Sequence, residues 1–313
     1  MTATATLTVI KPIVITDAML TSHTEAESES VYDAGTSYSI GDAVIYGADH
    51  DLFSSLVDTN LGNTPIKWPN NTSYWYDEGK TNRWNMFDLN TNIQTTGASP
   101  MVVVLEPGEP ITAIHFDTIE CDSITVSISD GVTEVYNTTI EAKTRDVYGW
   151  YTFFTEQHRY IRILSLYDLP GLVALPVITI TFTNASGDAK CGGIIVGRHY
   201  VIGTALSNGS SHARKGFSVF ERDEIDANRV RLLKRGSVKN PRVKVFVSSN
   251  GIDRVMSVLD DVDGLAASWT VNQDTTDNWY GAFALRGVYR SPVNISTAED
   301  TTSAYLEIEL EGI

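Results

Sequence analysis

The stretch "YLEIELEGI", residues 305–313, alternates apolar and polar positions along most of its length. A period of two is typical of a β-strand that buries one face. The same alternation occurs in "ITVSIS" at 124–129 and "VITITFT" at 177–183, and β-branched runs of strand length occur at 101–105 and 242–247. Turn residues separate such runs at spacings of about ten residues. The sequence therefore predicts a mainly β chain of sandwiches or barrels, with several domains.

One segment follows a helical period instead. In "NGIDRVMSVLDDVDG", residues 250–264, the apolar positions fall at i, i+3, i+4 and i+7, and they are Val255, Val258, Leu259 and Val262. This spacing predicts one amphipathic helix near 251–263 that lies on a sheet. Asn250 is the expected cap at its start and Gly264 the residue that ends it.

The charge of the chain is strongly acidic but uneven. The net charge of −16 argues against a general nucleic-acid binder. Residues 211–244 reverse the sign, with 10 Lys and Arg against 4 Asp and Glu. Such a basic segment is either a docking site for a like copy or an acidic neighbour, or a solvated hairpin.

No motif for catalysis or metal binding is present in the sequence. The six histidines have no metal-ligand spacing, and "GADHDL" at 47–52 is interpreted as a polar turn rather than a metal or acid/base cluster. Cys121 and Cys191 are too sparse for a disulfide framework, so we expect two buried thiols. A glycosidase carboxylate pair leaves no sequence signature. We predict no enzyme, no catalytic residue, no metal and no cofactor.

The first twenty residues lack the basic region of a secretory signal, and Lys11-Pro12 interrupts their apolar run. No apolar stretch reaches the roughly 18 residues that a membrane span needs. We therefore expect neither secretion nor membrane insertion.

Composition and turn positions divide the chain into four parts. We predict an N-terminal arm at 1–30, a small β module at 31–80, a β-sandwich at 81–190, and a second β-rich domain with the helix at 191–313.

The small module carries a specific series of residues. The order Tyr32, Gly35, Tyr38, Gly41-Asp42, Val44, Tyr46, Phe53, Asn60, Gly62, Pro65 and Trp75 resembles the family 5/12 carbohydrate-binding modules. In that family exposed aromatic rings stack on sugar rings. The resemblance implies Trp68, Trp75 and Tyr76 as carbohydrate-binding residues, with Tyr46 behind them. The alternative is that these rings form the core of the module or a contact with a neighbouring domain.

Two further resemblances cover the rest of the chain. "TNRWNMFD" at 81–88 resembles the entry of galactose-binding-like β-sandwiches, which implies that Trp84 and Phe87 fill the core of the sandwich. Residues 190–236, the helix, "WYGAFALRGVYR" at 279–290 and the closing strand are similar in order to bacteriophage tail and baseplate proteins of the distal-tail type. That family implies a ring of identical copies, assembled in the host cytoplasm and located in the tail of the virion.

Opposite charges suggest how such copies meet. A basic set in the 211–244 segment could face an acidic set on the closing strand of a neighbour; the two sets are Arg229, Arg231, Lys234 and Arg235, and Glu307, Glu309 and Glu311. Alternatively, the glutamates are the solvated face of a sheet or protect an exposed strand edge.

The function expected from these observations is a structural component of a phage tail tip or baseplate. It would assemble into a ring and contribute to attachment to host-surface glycan or to fibre docking. Its partners would be other copies, neighbouring tail proteins and bacterial surface glycan. The alternatives are a free protein that binds a chitin-like polysaccharide, or an accessory module of a polysaccharide-degrading system.

Overall fold

The computed structural model describes residues 5–67, 69–70, 73–145, 147–222, 230–273, 280–297 and 303–313. The fold is mainly β, as the alternating patterns predicted. The chain forms two compact units. The closed-sheet unit comprises Met1–Pro12 and Ile195–Ile313, and the sandwich unit comprises Ile13–Ile194. The predicted arm at 1–30 is therefore divided between the two units, and the finer four-part division stays a prediction.

The strands of the described residues are β1 Thr6–Pro12, β2 Leu20–His23, β3 Ser30–Val31, β4 Ser37–Tyr38, β5 Ala43–Tyr46, β6 Asp51–Ser55, β7 Asn60–Leu61, β8 Trp75–Lys80, β9 Thr95–Gly97, β10 Met101–Leu105, β11 Ala113–Glu120, β12 Ser123–Ser129, β13 Glu134–Glu141, β14 Lys143–Thr144, β15 Arg159–Tyr160, β16 Ile163–Leu166, β17 Val177–Thr183, β18 Ala189–Ser211, β19 Arg214–Gly216, β20 Val219–Arg222, β21 Val230–Leu233, β22 Ser237–Lys239, β23 Arg242–Ser248, β24 Ala267–Thr270, β25 Leu285–Thr297 and β26 Ser303–Gly312. The helices are α1 Trp150–Thr155, α2 Ile252–Val262 and α3 Tyr280–Phe283.

The sandwich unit contains two larger sheets. One has the order β13-β12-β17-β10-β2, and the other is formed by β9, the first residues of β18, β11 and β16. Phe116 and Phe182, one from each sheet, pack edge to face with ring centroids 5.8 Å apart. Alternate residues of the strands are buried, as expected where two sheets share a core.

A small sheet with the order β3-β5-β6-β8 precedes the sandwich in the chain, with a two-stranded pair β4-β7 beside it. Its core is formed by Tyr38, Val44, Phe53 and Trp75, with Tyr32 packed against them. Residues 47–50 of "GADHDL" form the turn between β5 and β6, and Asp51 and Leu52 begin β6.

Trp84 is buried and Phe87 is half-buried, with their ring centroids 5.5 Å apart; that they fill the core of the sandwich stays a prediction. The indole of Trp84 also stacks on the imidazole of His50, which lies in the turn of the small sheet. Trp84 therefore contributes to the packing between the small sheet and the residues that follow it.

The closed-sheet unit takes its name from a complete cycle of six antiparallel strands. The order is β1-β24-β25-β26-β23-β18, and β18 pairs in turn with β1. Each strand has two neighbours, so none of the six is a free edge. The sheet surrounds a core that includes Leu7, Trp269 and Leu306.

Helix α2 lies in this unit at the predicted place. Its buried residues are the predicted Val255, Val258, Leu259 and Val262, and they pack into the core of the closed sheet. Its start differs from the prediction, because a short 3-10 turn at Ser249–Gly251 precedes the helix and Gly251 is the cap, with no side-chain hydrogen bond. Gly264 follows its end with a φ of 69°, in the left-handed region that glycine favours.

Candidate functional site

Trp75 does not form part of an exposed sugar platform. Its side chain is 1% exposed, and its Nε1–H donates to the Asn63 carbonyl oxygen at 2.6 Å. Its ring packs edge to face on Tyr38 at 5.3 Å and on Tyr32 at 5.9 Å. The prediction that Trp75 stacks on sugar is corrected by this burial, because a stacking ring needs a free face.

Tyr46 and Tyr76 are exposed but lie on opposite faces of the small sheet. Tyr46 follows Val44 by two residues and packs on Tyr32 at 5.6 Å, which places it at the rim of the core face. Tyr76 is paired with Ser54 on the other face and is 51% exposed. Trp68 lies outside the described residues. Among the described candidates, the structure therefore offers one exposed ring on each face rather than one shared platform.

Two lysines bind the carboxylate of Asp51, the first residue of β6 after the polar turn. Asp51 is buried, and Lys67 Nζ binds its two carboxylate oxygens at 2.9 and 2.8 Å. Burial alone lowers the pKa of Lys67, but the hydrogen bonds and charge of Asp51 outweigh it and raise that pKa above its usual value. Lys80 lies 3.4 Å from the same carboxylate. The charge of Asp51 is thus satisfied by cations of the chain.

The described residues contain no group of three or more His, Cys, Asp or Glu side chains that could hold a metal ion. Cys121 and Cys191 are free and buried, as predicted. Burial, with the nearby charge of Asp122, raises the pKa of the Cys121 thiol to about 12, so it stays protonated and is a poor nucleophile at neutral pH.

The three glutamates of β26 lie on the outer face of the closed sheet, opposite the buried Leu306, Ile308 and Leu310. Glu309 lies 3.4 Å from Arg242 Nη2, and Glu311 accepts from Arg290 Nε at 2.8 Å. Since β26 lies between β23 and β25, the alternative of an exposed edge is wrong. Glu309 and Glu311 have arginine partners within their own chain, which compete with any partner from a second copy.

In the basic segment, residues 214–222 and 230–239 form a two-stranded ribbon, here called the arm. Its base is the pair β19–β22 and its outer part the pair β20–β21. Arg231, Lys234 and Arg235 are exposed on it, and Arg229 lies outside the described residues. Arg231 Nη1 lies 4.0 Å from Glu221 Oε2 of the opposite strand.

Apolar side chains of the arm are also exposed. Phe220 and Leu232 are directly opposite one another on one face and are 60% and 69% exposed. Val219 and Leu233 form the equivalent pair on the other face. A two-stranded ribbon is marginally stable in water unless something packs against it, so this surface is typical of a contact.

A second exposed apolar segment was missed by the sequence analysis. Residues 147–154, "VYGWYTFF", include all but the last residue of α1 and present five exposed aromatic rings. The signal was the density of aromatic residues in a stretch without strand or helix periodicity.

None of the helices in the part of the chain described above is both long and apolar enough to span a membrane. No family model and no curated protein matches the chain. A solved structure of chitosan-binding module 1, from a chitosanase/glucanase of Paenibacillus sp. IK-5, is similar over 36% of this chain and 81% of that chain, with 14% identity and a TM-score of 0.24.

Proposed function

We propose that this chain is a structural subunit of a bacteriophage tail tip or baseplate, and that it assembles with identical copies into a ring through the arm. The tail assignment rests on the sequence resemblance of residues 191–313. The ring rests on the arm, which carries the exposed pair of Phe220 and Leu232 on one face and the exposed Leu233 on the other.

Charge favours a second copy as the partner of the arm. Residues 211–244 carry a net charge of +6, which leaves the remainder of the chain at −22 against a total of −16. A basic ribbon on an acidic chain is attracted to other copies of that chain and repelled by few of their surfaces.

The topology of the closed sheet limits how two copies of the chain can bind one another. Its six strands have no free edge, so strand addition to that sheet does not provide the interface. The exposed apolar side chains of the arm supply the contact in this proposal. Because the arm meets a different surface on its neighbour, the contact is heterologous, and such contacts close into rings when the rotation allows.

In this proposal the small sheet and the sandwich contribute to host-surface glycan attachment or to fibre docking. The exposed rings of Tyr46 and Tyr76 support a glycan contact, one on each face of the small sheet. Binding to chitin and to purified bacterial surface glycan should fall when Tyr76 is changed to Ala, whereas Leu89→Ala is the matched control at another exposed position.

The ring is tested by sedimentation velocity of the full-length chain at low and high salt, together with mass spectrometry of purified virions. We expect a discrete oligomer that dissociates as salt rises, and the chain among the virion proteins. A strict monomer that is absent from virions contradicts the proposal. A monomer that binds chitin supports the free glycan-binding alternative instead.

A further inference from the structure

The sandwich unit has an open sheet edge along β13. The strand order β13-β12-β17-β10-β2 places β13 at one margin of the five-stranded sheet. Within the part of the chain that the structure describes, β13 pairs with β12 alone, so no strand lies beside its outer backbone N–H and carbonyl groups. β13 has 8 residues, whereas β2 at the opposite margin has 4. The edge of β13 is therefore long enough to receive an added strand.

The charges of β13 disfavour pairing of this edge with a second copy of itself. Natural proteins protect sheet edges with lysine, proline, bulges or short strands, and β13 contains neither Lys nor Pro. Its charged residues are Glu134 and Glu141, one at each end. Two copies of β13 paired antiparallel over their full length would bring carboxylates of the same sign together. The edge thus favours a partner strand of opposite charge.

The two faces of β13 differ in polarity. Tyr136 and Ile140 lie opposite buried isoleucines of β12 and are themselves half-buried, so apolar surface remains partly open on the core side of this edge. The alternate residues Asn137, Thr139 and Glu141 lie on the other face and are exposed. A strand that fits this edge has an apolar residue on one face and a basic residue on the other.

The strand β21 of the arm has this pattern. Leu232 lies on one face of the ribbon with Phe220, whereas Arg231 lies on the other, and Lys234 and Arg235 follow the strand. Among the described residues β21 pairs with β20 alone, so its second edge is also open. Of the two strands, β21 is the more basic, because β20 carries Glu221.

We propose that β21 of one copy adds to the outer edge of β13 of a second copy, so that the arm extends the five-stranded sheet by two strands. The inference rests on the proposed function, because it names the surface of the neighbour that receives the arm. When Leu232 lies on the side of Tyr136 and Ile140, strand alternation brings Arg231 to the side of Glu141. The added ladder of backbone hydrogen bonds holds the strands together, and the side chains select the partner.

This contact stabilises both surfaces and suits a ring. A two-stranded ribbon is marginally stable in water, and pairing with β13 makes the arm part of a larger sheet. The arm and β13 are different surfaces, so each copy gives one and receives the other, which is the heterologous geometry of a ring.

Charge favours the arm of a second copy as the occupant of this edge. Residues 123–141, the hairpin of β12 and β13, carry 3 Asp and Glu and no Lys or Arg. The described residues of the arm carry 7 Lys and Arg against 1 Glu. Hydrogen bonds from Ser127 and then Asn137 lower the pKa of Glu134, which is therefore ionised at neutral pH. The two surfaces thus attract one another.

The contact is tested by reversing the charge of each surface separately in the full-length chain. One variant combines Glu134→Lys with Glu141→Lys on β13, and the other combines Arg231→Glu with Arg235→Glu on the arm. Each variant alone brings like charges together, so its self-association should weaken roughly tenfold or more in sedimentation velocity. In an equimolar mixture every reversed surface meets one of opposite charge, and association should return toward that of the parent chain.

A matched control separates this contact from an effect of net charge. Glu106→Lys combined with Glu109→Lys makes the same change in net charge as the β13 variant, at exposed positions of the same unit. It should associate as the parent chain does. All variants should keep the far-ultraviolet circular dichroism of the parent chain.

Hydrogen exchange of the parent chain distinguishes strand addition from a contact of side chains alone, and it does not depend on the folding of any variant. Backbone amides in peptides that cover residues 134–141 and 230–235 should exchange several-fold more slowly in the oligomer than in the dilute monomer. A peptide that covers β2, at the opposite margin of the same sheet, should exchange at the same rate in both states.

Two results overturn the inference and leave the proposed function standing. One is a discrete oligomer in which the exchange of residues 134–141 is unchanged. The other is a pair of charge-reversed variants that associate as the parent chain does, or that do not recover association when mixed. In either case the arm docks elsewhere on its neighbour. A parent chain that is a strict monomer contradicts the ring itself and this contact with it.

Discussion

The imidazole of His50 lies face to face on the indole of Trp84, with ring centroids 4.5 Å apart and planes 14° from parallel. The carboxylate of Asp17 lies 3.3 Å from Nε2 of His50, and that of Glu27 lies 3.0 Å from Nδ1. His50 thus joins the segment before the small sheet, the β5–β6 turn and the segment after β8. This relationship makes one surface-turn histidine a structural residue of the sandwich unit.

His50→Ala should lower the free energy of unfolding by about 1–2 kcal/mol, because it removes a stacked pair worth about 0.5–1.5 kcal/mol and leaves the Glu27 carboxylate without its neighbour. The φ of His50 is 55°, a region that Asn tolerates better than Ala. His50→Asn should therefore lose less than His50→Ala in urea unfolding. The exposed His158→Ala is the control, and an equal loss there contradicts the prediction.

Trp75→Ala should unfold the small sheet rather than create a binding defect alone. Large aromatic-to-Ala changes in a core cost about 3–5 kcal/mol. A sheet of so few residues has little other core to compensate. Tyr76→Ala, at the next position of the same strand but on the exposed face, should change the unfolding free energy by less than about 0.5 kcal/mol. Limited proteolysis of residues 30–80 compares the two, and equal resistance contradicts the burial of Trp75.

His23 should make the sandwich unit sensitive to acid. Burial, and then the positive charge of Arg83, lower the pKa of His23 from 6.5 to about 4. Between these values the unfolded chain binds a proton that the folded chain does not, so stability falls as the pH drops from 6.5 to 4. The loss by pH 4 is about 3 kcal/mol.

His23→Gln should flatten this part of the stability profile, measured by urea unfolding at several pH values. The matched control is His158→Gln, at an exposed position, which should keep the slope of the parent chain. A slope unchanged by His23→Gln shows that other groups cause the acid sensitivity.

The strands and helix α2 could be predicted because their signals are local. The valines of α2 and the leucines of β26 repeat at the period of their own element, and the structure buries those same residues. The closed sheet could not be predicted, since β1 pairs with residues 197–204, far along the chain, and no local period encodes that partner. In the candidate site, the aromatic series located the small sheet correctly. Which rings face the core depended on strand register, which placed Trp75 inside and Tyr76 outside.

Two glycines of the closed sheet lie close to the backbone of a neighbouring strand, and replacing them with a larger residue should destabilise the protein. A Cβ on Gly197 would collide with the carbonyl oxygen of Lys11 in β1, and one on Gly287 would collide with that of Glu311 in β26. Backbone cannot move aside without breaking ladder hydrogen bonds. Gly197→Ala should therefore cost about 1–3 kcal/mol or more, as overpacking does. Gly236→Ala in the arm has open space around its Cβ and should stay within about 0.5 kcal/mol in thermal unfolding.

The arm should control self-association without controlling folding. Phe220→Ser and Leu232→Ser each remove one of the two side chains of an exposed pair, so each should weaken self-association at least tenfold, as the loss of a central apolar contact does. Both side chains are solvent-exposed within the chain, so the unfolding free energy should change by less than about 0.5 kcal/mol. Sedimentation velocity and urea unfolding of the same samples separate these quantities. Leu89→Ser, at a similarly exposed position of the sandwich unit, is the matched control; if it weakens association as much as Phe220→Ser does, the arm is not the contact.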